Sequence, residues 1–230
     1  MDYFVDGLKE AIEMLFLINR ELLEIVFVSI KVSFLSITLA TIVGVPFGIF
    51  VAQKRFPARD AVVTVLNTLM SVPTVVIGLM VYSLLSHKGP LGELGLLYTS
   101  AAMVIGQFIL ATPIISGLTV VSIKGLDKRI CPTIVSLGAN PIQGFFMFLH
   151  EARPGIMAAV IAGFGRVFAE VGISMMLGGN IKGYTRNITA AIALETSKGE
   201  FALGIALGII LLAVALAINI VFSYFQRKVR

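Results

Sequence analysis

Charge is scarce in this chain. Of 230 residues, 13% are charged and 57% are hydrophobic, against about 25% charged in an ordinary soluble domain. The mean hydropathy is +0.97. That shortage excludes a disordered tail, a coiled coil and an ordinary soluble enzyme. Cysteine is nearly absent as well. Cys131 stands alone, which excludes an internal disulfide framework and a cysteine-built zinc site. Histidine occurs only at His87 and His150, both between apolar runs. With no H-E-x-x-H or G-x-S-x-G pattern, intramembrane proteolysis or hydrolysis has no residues to rest on. A G-x-x-x-x-G-K-[ST] phosphate loop is also missing, so the chain is not expected to hydrolyse ATP. No repeat relates its halves, which counts against the repeat architecture of secondary carriers.

What the chain has is long apolar runs. A helix needs about 20 mostly apolar residues to cross the hydrocarbon layer. Five stretches qualify: 25–51, 61–85, 96–123, 155–177 and 201–225. The first holds one charge, Lys31, which can snorkel outward on its own stem. The fourth holds Arg166 and Glu170, and the other three hold none. These runs predict an all-α integral membrane protein with one domain over residues 1–230 and five transmembrane helices. The first 20 residues differ, because Asp2, Asp6, Glu10 and Glu13 interrupt them. Phe4, Leu8, Ile12, Leu15 and Phe16 are expected on one face of a helix lying along the membrane. A cleaved signal peptide is not expected, since a basic start and small-residue cleavage site are missing.

The formal charge of +5 would suggest nucleic acid in a soluble chain. Here the cations lie in short connecting segments, where they set topology. One set of segments holds Lys54, Arg55, Arg59, Lys124, Lys128, Arg129, Arg153, Arg227, Lys228 and Arg230; the other holds Lys9, Arg20, Lys88, Lys182, Arg186 and Lys198. The richer set is expected in the cytoplasm, which puts the N-terminus outside and the C-terminus inside. Gly44, Pro46, Gly48, Pro73 and Pro113 interrupt the spans. They fit a bundle that lines a pathway and moves, and they equally fit ordinary kinking of membrane helices.

The connection 124–154 is too long for a simple helix–helix loop of about 2–8 residues. It reads as two short helices, the first over 126–137 and ending at Gly138. Asn140 then caps a second that has Pro141 at its first position. Phe145, Phe146, Phe148 and Leu149 give that second helix an apolar surface, for a groove on another protein or for packing under its own bundle.

Ser136-Leu137-Gly138-Ala139-Asn140 resembles the Gly-centred cytoplasmic loop of ABC importer permeases, whose coupling helix sits in a cleft of the ATPase. The copy departs from that loop's usual Glu-Ala-Ala start, having Cys131-Pro132-Thr133-Ile134 there, and has Leu149-His150 where Leu-Pro is usual. Asn67-Thr68-Leu69-Met70-Ser71-Val72-Pro73, Glu151-Ala152-Arg153-Pro154-Gly155, Gly163-Phe164-Gly165-Arg166, Glu170-Val171-Gly172 and Gly178-Gly179-Asn180-Ile181 resemble the tungstate-type permeases, close relatives of molybdate permeases. The run from Thr189 to Gly199 does so most fully. The resemblance implies a type I ABC importer permease fold with a cytoplasmic coupling helix, working as a homodimer in the cell inner membrane. It implies a partner ATPase dimer that binds ATP, an extracytoplasmic substrate-binding protein, and no cofactor or metal on this chain. Ser136, Leu137, Gly138, Ala139, Asn140 and Pro141 would form the ATPase-coupling turn. The alternatives are a molybdate or other oxyanion ABC permease, or a secondary transporter.

Arg166 and Glu170 are four residues apart, so they share one helix face and can pair. They serve either as a structural lock or as positive potential and a gating switch in an oxyanion pathway. Thr68, Ser71, Gln107 and Thr112, with Thr74 and Ser116, carry hydroxyl or amide donors that can replace part of an anion's hydration shell or bond a neighbouring helix. The segment 178–200 holds a short apolar helix expected over 187–195. In the family picture it folds back as an outer gate, with Lys182, Arg186 and Lys198 turned towards the anion or binding protein; otherwise it is a solvated loop. For topology, a cysteine at Gly92 (in a Cys131→Ser background) is expected to react with an impermeant thiol reagent from outside, and one at Ala58 only from inside. The reverse labelling would overturn the orientation.

Overall fold

The computed structural model describes residues 5–7, 9, 12–13, 20–53, 56–127, 129–130, 132, 136, 138 and 140–229. Helices α1 (Arg20–Gln53), α2 (Arg59–Met70), α3 (Thr74–Leu85) and α4 (Ser100–Lys124) come first, with a single 3₁₀ turn at Gly92–Leu94. After them come α5 (Pro141–Glu151), α6 (Arg153–Phe168), α7 (Gly172–Gly178), α8 (Ile188–Ser197) and α9 (Phe201–Val229). No strand occurs among the described residues. Among the described residues three helices, α1, α4 and most of α9, are long and apolar enough to cross a membrane unbroken. The number rises to five if two bent pairs each count as one span: α2 with α3, bent by 98°, and Ile142–Glu151 with α6, bent by 74°.

Two expected spans are therefore not single helices. Residues 61–85 divide at Pro73, which takes φ −59° and ψ 131° as the residue before α3. Proline has no N–H and crowds the preceding turn, so α2 stops at Met70. Residues 155–177 divide at Ala169-Glu170-Val171, between α6 and α7, where neither proline nor glycine forces a break. The third run starts later than expected, at Ser100, because the Thr99 hydroxyl caps the helix by accepting from the Ala102 N–H at 3.3 Å. Pro46 and Pro113, by contrast, lie inside unbroken helices.

The axis of the bundle is α4, with 61% of its most apolar window buried against 22% for α9 at the periphery. Its largest contact is with α1. There α1 presents a buried row of small residues, Ser29, Ser33, Ser36, Ala40, Gly44 and Gly48, which lets the two backbones approach. A Cβ on Gly48 would lie 2.7 Å from the Ser116 carbonyl oxygen, and one on Gly44 would lie 3.2 Å from Ile115. A second buried cluster, Ile77, Val81, Leu85, Ala102, Leu110, Ile173 and Leu177, binds α3 and α7 to α4. Large apolar side chains such as Phe27, Phe34 and Ile42 on α1, and Leu212, Leu216 and Ile220 on α9, point outward, as suits helices whose solvent is lipid.

Near the N-terminus the described residues are helical, and Gly7 lies against Ile205 of α9. Ile12 is exposed, while Phe4, Leu8, Leu15 and Phe16 lie outside the described residues. Gly48→Leu is expected to cost about 1–3 kcal/mol or more, because the obstacle is backbone and cannot rotate away. Gly208→Leu, with no atom within 4 Å of its added Cβ, serves as the control. Melting of both variants in detergent, with only Gly208→Leu matching wild type, checks the close α1–α4 contact.

Candidate functional site

Two regions carry the polar chemistry: the break between α6 and α7, and the segment that leads into α5. At the break, Glu170 is 1% exposed. Its Oε1 accepts the Ile173 N–H at 3.0 Å, and its Oε2 lies 3.4 Å from Arg166 Nη1. The two partners are not alike. Glu170's side chain is 2% exposed, but Arg166's is 44% exposed. The expected ion pair is present, yet only its acidic half is locked into the protein.

The exposed backbone of the break is satisfied by side chains from elsewhere. The Glu170 carbonyl accepts from the Thr189 hydroxyl at 2.7 Å and from the Ser174 hydroxyl at 3.3 Å. Ser174 Oγ in turn accepts from Gln107 Nε2 at 3.3 Å and from Asn187 Nδ2 at 2.9 Å. Asn187 caps α8, its Oδ1 accepting from the Ala190 N–H at 2.9 Å. On the other side, the Ser36 hydroxyl is within reach of Gln107 Oε1 at 3.2 Å as well as the Val32 carbonyl at 2.7 Å. Ser29 Oγ accepts the Ile188 N–H at 2.9 Å. Ser29, Ser36, Gln107, Glu170, Ser174, Asn187 and Thr189 are all buried, so four parts of the fold meet in one polar network.

Of the expected polar residues, the structure brings Gln107 and Glu170 into this network. Thr112 instead bonds the Phe108 carbonyl of its own helix at 2.7 Å, as Ser116 bonds Thr112 at 2.8 Å. Thr68 on α2 and Ser71 just after its end lie exposed and bond back to Thr64 and Asn67 carbonyls at 2.9 and 3.4 Å. Thr74 is half-buried near Gly172. Ser36, Ser174, Asn187 and Thr189 were not singled out from the sequence. Asn187 is a standard cap before an apolar run, but serines within apolar runs carry no signal of which neighbour they will meet.

In the second region Ser136 is helical and exposed, and Gly138 has φ +68°, a left-handed conformation that favours glycine. Half of the expected helix 126–137 lies outside the described residues, Leu137 included, as does Ala139. Asn140 caps α5 as expected and Pro141 opens it. The Asn140 Oδ1 accepts the Gln143 N–H, and the Asn140 N–H donates to Gln143 Oε1, both at 2.8 Å. The aromatic residues divide between the two expected roles. Phe148 is buried, with Phe145 and Leu149 packed beside it against the core. Phe146 and Ile142 are 60% and 68% exposed. Arg153 braces the end of the helix, donating from Nε to the His150 carbonyl at 2.8 Å.

In the segment 178–200, α8 is ten residues of mostly buried, apolar helix, too short to span. Gly179, with φ +69°, packs on Tyr98, and the Tyr98 N–H donates to the Leu177 carbonyl at 2.8 Å. A hydrogen bond with Tyr82 at 3.4 Å holds the Tyr98 phenol above its ordinary range. Each of the three cations of this segment has a carboxylate beside it, while Lys182 and Lys198 stay 64% and 51% exposed. Lys182 lies 2.7 Å and Arg186 3.7 Å from Glu21, and Lys198 lies 3.0 Å from Glu195. Among the described residues no group of His, Cys, Asp and Glu could hold a metal ion.

This arrangement, a helical membrane bundle with an irregular polar centre and a capped helix in a long connection, fits a transport permease. Residues 44–230 match the family of binding-protein-dependent transport system inner membrane components, and the chain belongs to that family. It is 39% identical over 227 residues to the tungstate uptake system permease protein TupB of Campylobacter jejuni subsp. jejuni, covering 99% of this chain and 95% of that one. It is 38% identical over 228 residues to TupB of Peptoclostridium acidaminophilum, covering 99% and 100%. Among solved structures it resembles the inward-facing MetNI methionine ABC transporter, with a TM-score of 0.75 over 91% of this chain and 96% of that one, at 17% identity. The fold is that of a type I ABC importer permease.

Glu170→Leu is expected to cost about 1–3 kcal/mol by stranding the buried Ile173 N–H. Glu170→Gln keeps an acceptor there and is expected to melt near wild type. Arg166→Leu is expected to melt below Glu170→Gln, because it removes the cation beside a carboxylate that is 2% exposed. Thermal melting of the three variants in one detergent checks the order.

Proposed function

We propose that this chain is the membrane subunit of an ATP-driven importer that carries tungstate into the cell. The observation that supports it most is the identity of 39% and 38% to two tungstate uptake permeases over 99% of the chain. On this reading two copies form a homodimer with the pathway at the two-fold axis. A cytoplasmic ATPase dimer drives it, and an extracytoplasmic binding protein delivers the anion. The chain itself is not an enzyme and binds no cofactor or metal; ATP is bound and hydrolysed by the partner subunit. Residues 1–230 form one domain, with the N-terminus outside and the C-terminus inside.

Coupling to the ATPase falls to the turn Ser136, Leu137, Gly138, Ala139, Asn140 and Pro141 and to α5 behind it. The exposed Ile142 and Phe146 give α5 an apolar face for a partner's cleft, while Phe148 anchors the same helix to the bundle. Closure of the ATPase dimer on ATP then moves α5, and through the α5–α6 bend it moves the break at Glu170. Residues 178–200 act as the outer gate, since the buried bonds from Asn187 and Thr189 to the break make α8 follow it. Thr68, Ser71, Gln107, Thr112, Arg166 and Glu170 belong to the pathway or its gate. Gln107 and Glu170 act through the buried network. Thr68, Ser71 and Arg166 offer exposed polar groups, and Thr112 stands on the axial helix.

The test is uptake by proteoliposomes containing the permease, its ATPase and its binding protein. Tungstate uptake is expected to need ATP and to survive collapse of the ion gradient. Uptake that survives ATP depletion and follows the gradient would overturn the reading in favour of a secondary carrier. Competition by molybdate and sulfate assigns the oxyanion. Gly138→Asp tests coupling in the same vesicles. Among the described residues, its sequence neighbours aside, no atom lies within 4 Å of a Cβ added there, so the strain of a side chain at φ +68° stays local and the bundle is expected to survive. Uptake is expected to fall on the order of ten-fold, the scale of losing an interface hot spot.

A further inference from the structure

The outward faces of this bundle are not all alike. On α1 and α9 the most exposed side chains include Phe27, Ile42, Leu212 and Leu216, as lipid requires. On α2 the exposed residues include Thr64, Asn67, Thr68 and Ser71. They recur at three- and four-residue steps, which puts them on one side of the helix. The packed side is opposite, where Leu66 is buried and Val62, Val63 and Met70 are half-buried. Val65 and Leu69, both exposed, border the polar face.

The three hydroxyls bond back to carbonyls of their own helix, Thr64 to Asp60 at 2.8 Å, Thr68 to Thr64 and Ser71 to Asn67. That would let them sit in hydrocarbon at small cost. Asn67 makes no such bond among the described residues, and even a bond back of the kind that Asn219 on α9 makes to the Ala215 carbonyl at 3.0 Å would leave one amide N–H and the amide carbonyl unpaired. An unpaired amide facing acyl chains costs several kcal/mol. The face that holds it therefore meets water or polar groups when the transporter is assembled. It also ends at the Ser71-Val72-Pro73 break, where α2 turns by 98° into α3. Asp60, four residues before Thr64, stands exposed on the same face in the first turn of α2, about two helical turns from Asn67, so the track is uncharged only from Thr64 onward.

We propose that Asn67, with Thr64, Thr68 and Ser71, forms an uncharged hydrogen-bonding track for the transported oxyanion, and that the Asn67 amide is the donor that contacts it. The proposal rests on the oxyanion-importer reading above. A tetrahedral oxyanion offers only acceptors, and neutral N–H and O–H groups can replace part of its hydration shell without holding it as a lysine or arginine would. The hydroxyls supply this by rotating from their own carbonyls to the anion as it passes.

The experiment uses the assembled transporter with ATPase and binding protein in proteoliposomes. Single cysteines at positions 64, 65, 67, 68, 69 and 71 (Cys131→Ser background) meet a membrane-impermeant thiol reagent present on both sides. Reaction is expected at 64, 67, 68 and 71, slowed by tungstate during turnover, and not at 65 and 69. Asn67→Leu is expected to lower tungstate uptake about ten-fold, the scale of one lost hydrogen bond to an ion. Complex recovery should stay at wild-type level, and Asn67→Gln should recover part of the uptake. Unreactive cysteines on the polar face, or wild-type uptake by Asn67→Leu, would overturn the track. So would dissociation of the dimer in Asn67→Leu, which would make this face a helix–helix contact. Wild-type vesicles that import no oxyanion while the labelling pattern holds would instead overturn the importer reading and leave the aqueous face of α2 supported.

Discussion

A helix interrupted inside a membrane exposes backbone groups that lipid cannot satisfy, and the rest of this structure depends on how that need is met at Ala169-Glu170-Val171. The Glu170 carbonyl draws donors from Ser174 on α7 and Thr189 on α8, and its carboxylate takes the Ile173 N–H. Irregular backbone is tolerated at membrane depth only where protein or water partners it. Here most partners are neutral side chains buried with it. Neutral bonds of this kind are individually worth about 1 kcal/mol, so the break is held in place but remains cheap to rearrange. A ring of buried charges would be far more rigid, because separating them costs much more.

The same network explains why so short a helix as α8 is fixed. Ten residues cannot cross a bilayer and are marginal as an isolated helix. Asn187 caps its first turn and also reaches Ser174, and the Ile188 N–H finds Ser29 on α1. One end of α8 is thereby bound to the break, and Glu195 near the other end is paired with Lys198. The cations of the neighbouring segment are held by Glu21 at the start of α1. The segment is tied to the bundle at several points, while residues 181–184 and 196–200 stay exposed.

Much of this fold was legible in the sequence where one residue dictates the outcome. The apolar runs around 25–51 and 201–225 became α1 and α9, and Asn140-Pro141 marked the start of α5 to the residue. Pro73 was legible as an interruption, but not as a 98° turn, since Pro46 and Pro113 sit within straight-through helices. What separates them is packing: Gly44 and Gly48 press α1 onto α4 on both sides of Pro46. The break at Glu170 was not legible at all, because it is made by Ser174, Asn187 and Thr189 arriving from later in the chain. The Arg166–Glu170 pair was legible from its spacing, but its asymmetry was not. Spacing sets which residues meet and says nothing about which of them the rest of the fold covers.

Two surfaces of the chain are at odds with its surroundings taken alone. The Ile142 and Phe146 side of α5 is apolar on a helix that projects from a connection rich in charge, and the Thr64, Asn67, Thr68 and Ser71 side of α2 is polar on a helix within a lipid-soluble bundle. Each mismatch is small in area, but each carries a cost that a lone chain has no means to recover. Both are relieved if other subunits or a water-filled space cover them, and both lie on elements joined to the core by a sharp bend, α5 at Ala152 and α2 at Pro73. The close contact of α1 with α4 supplies that core, and Leu66 of α2 and Phe148 of α5 are buried against the bundle. Each mismatched surface is thus the outward side of an element whose other side the bundle holds, which fixes where a partner or water must meet it.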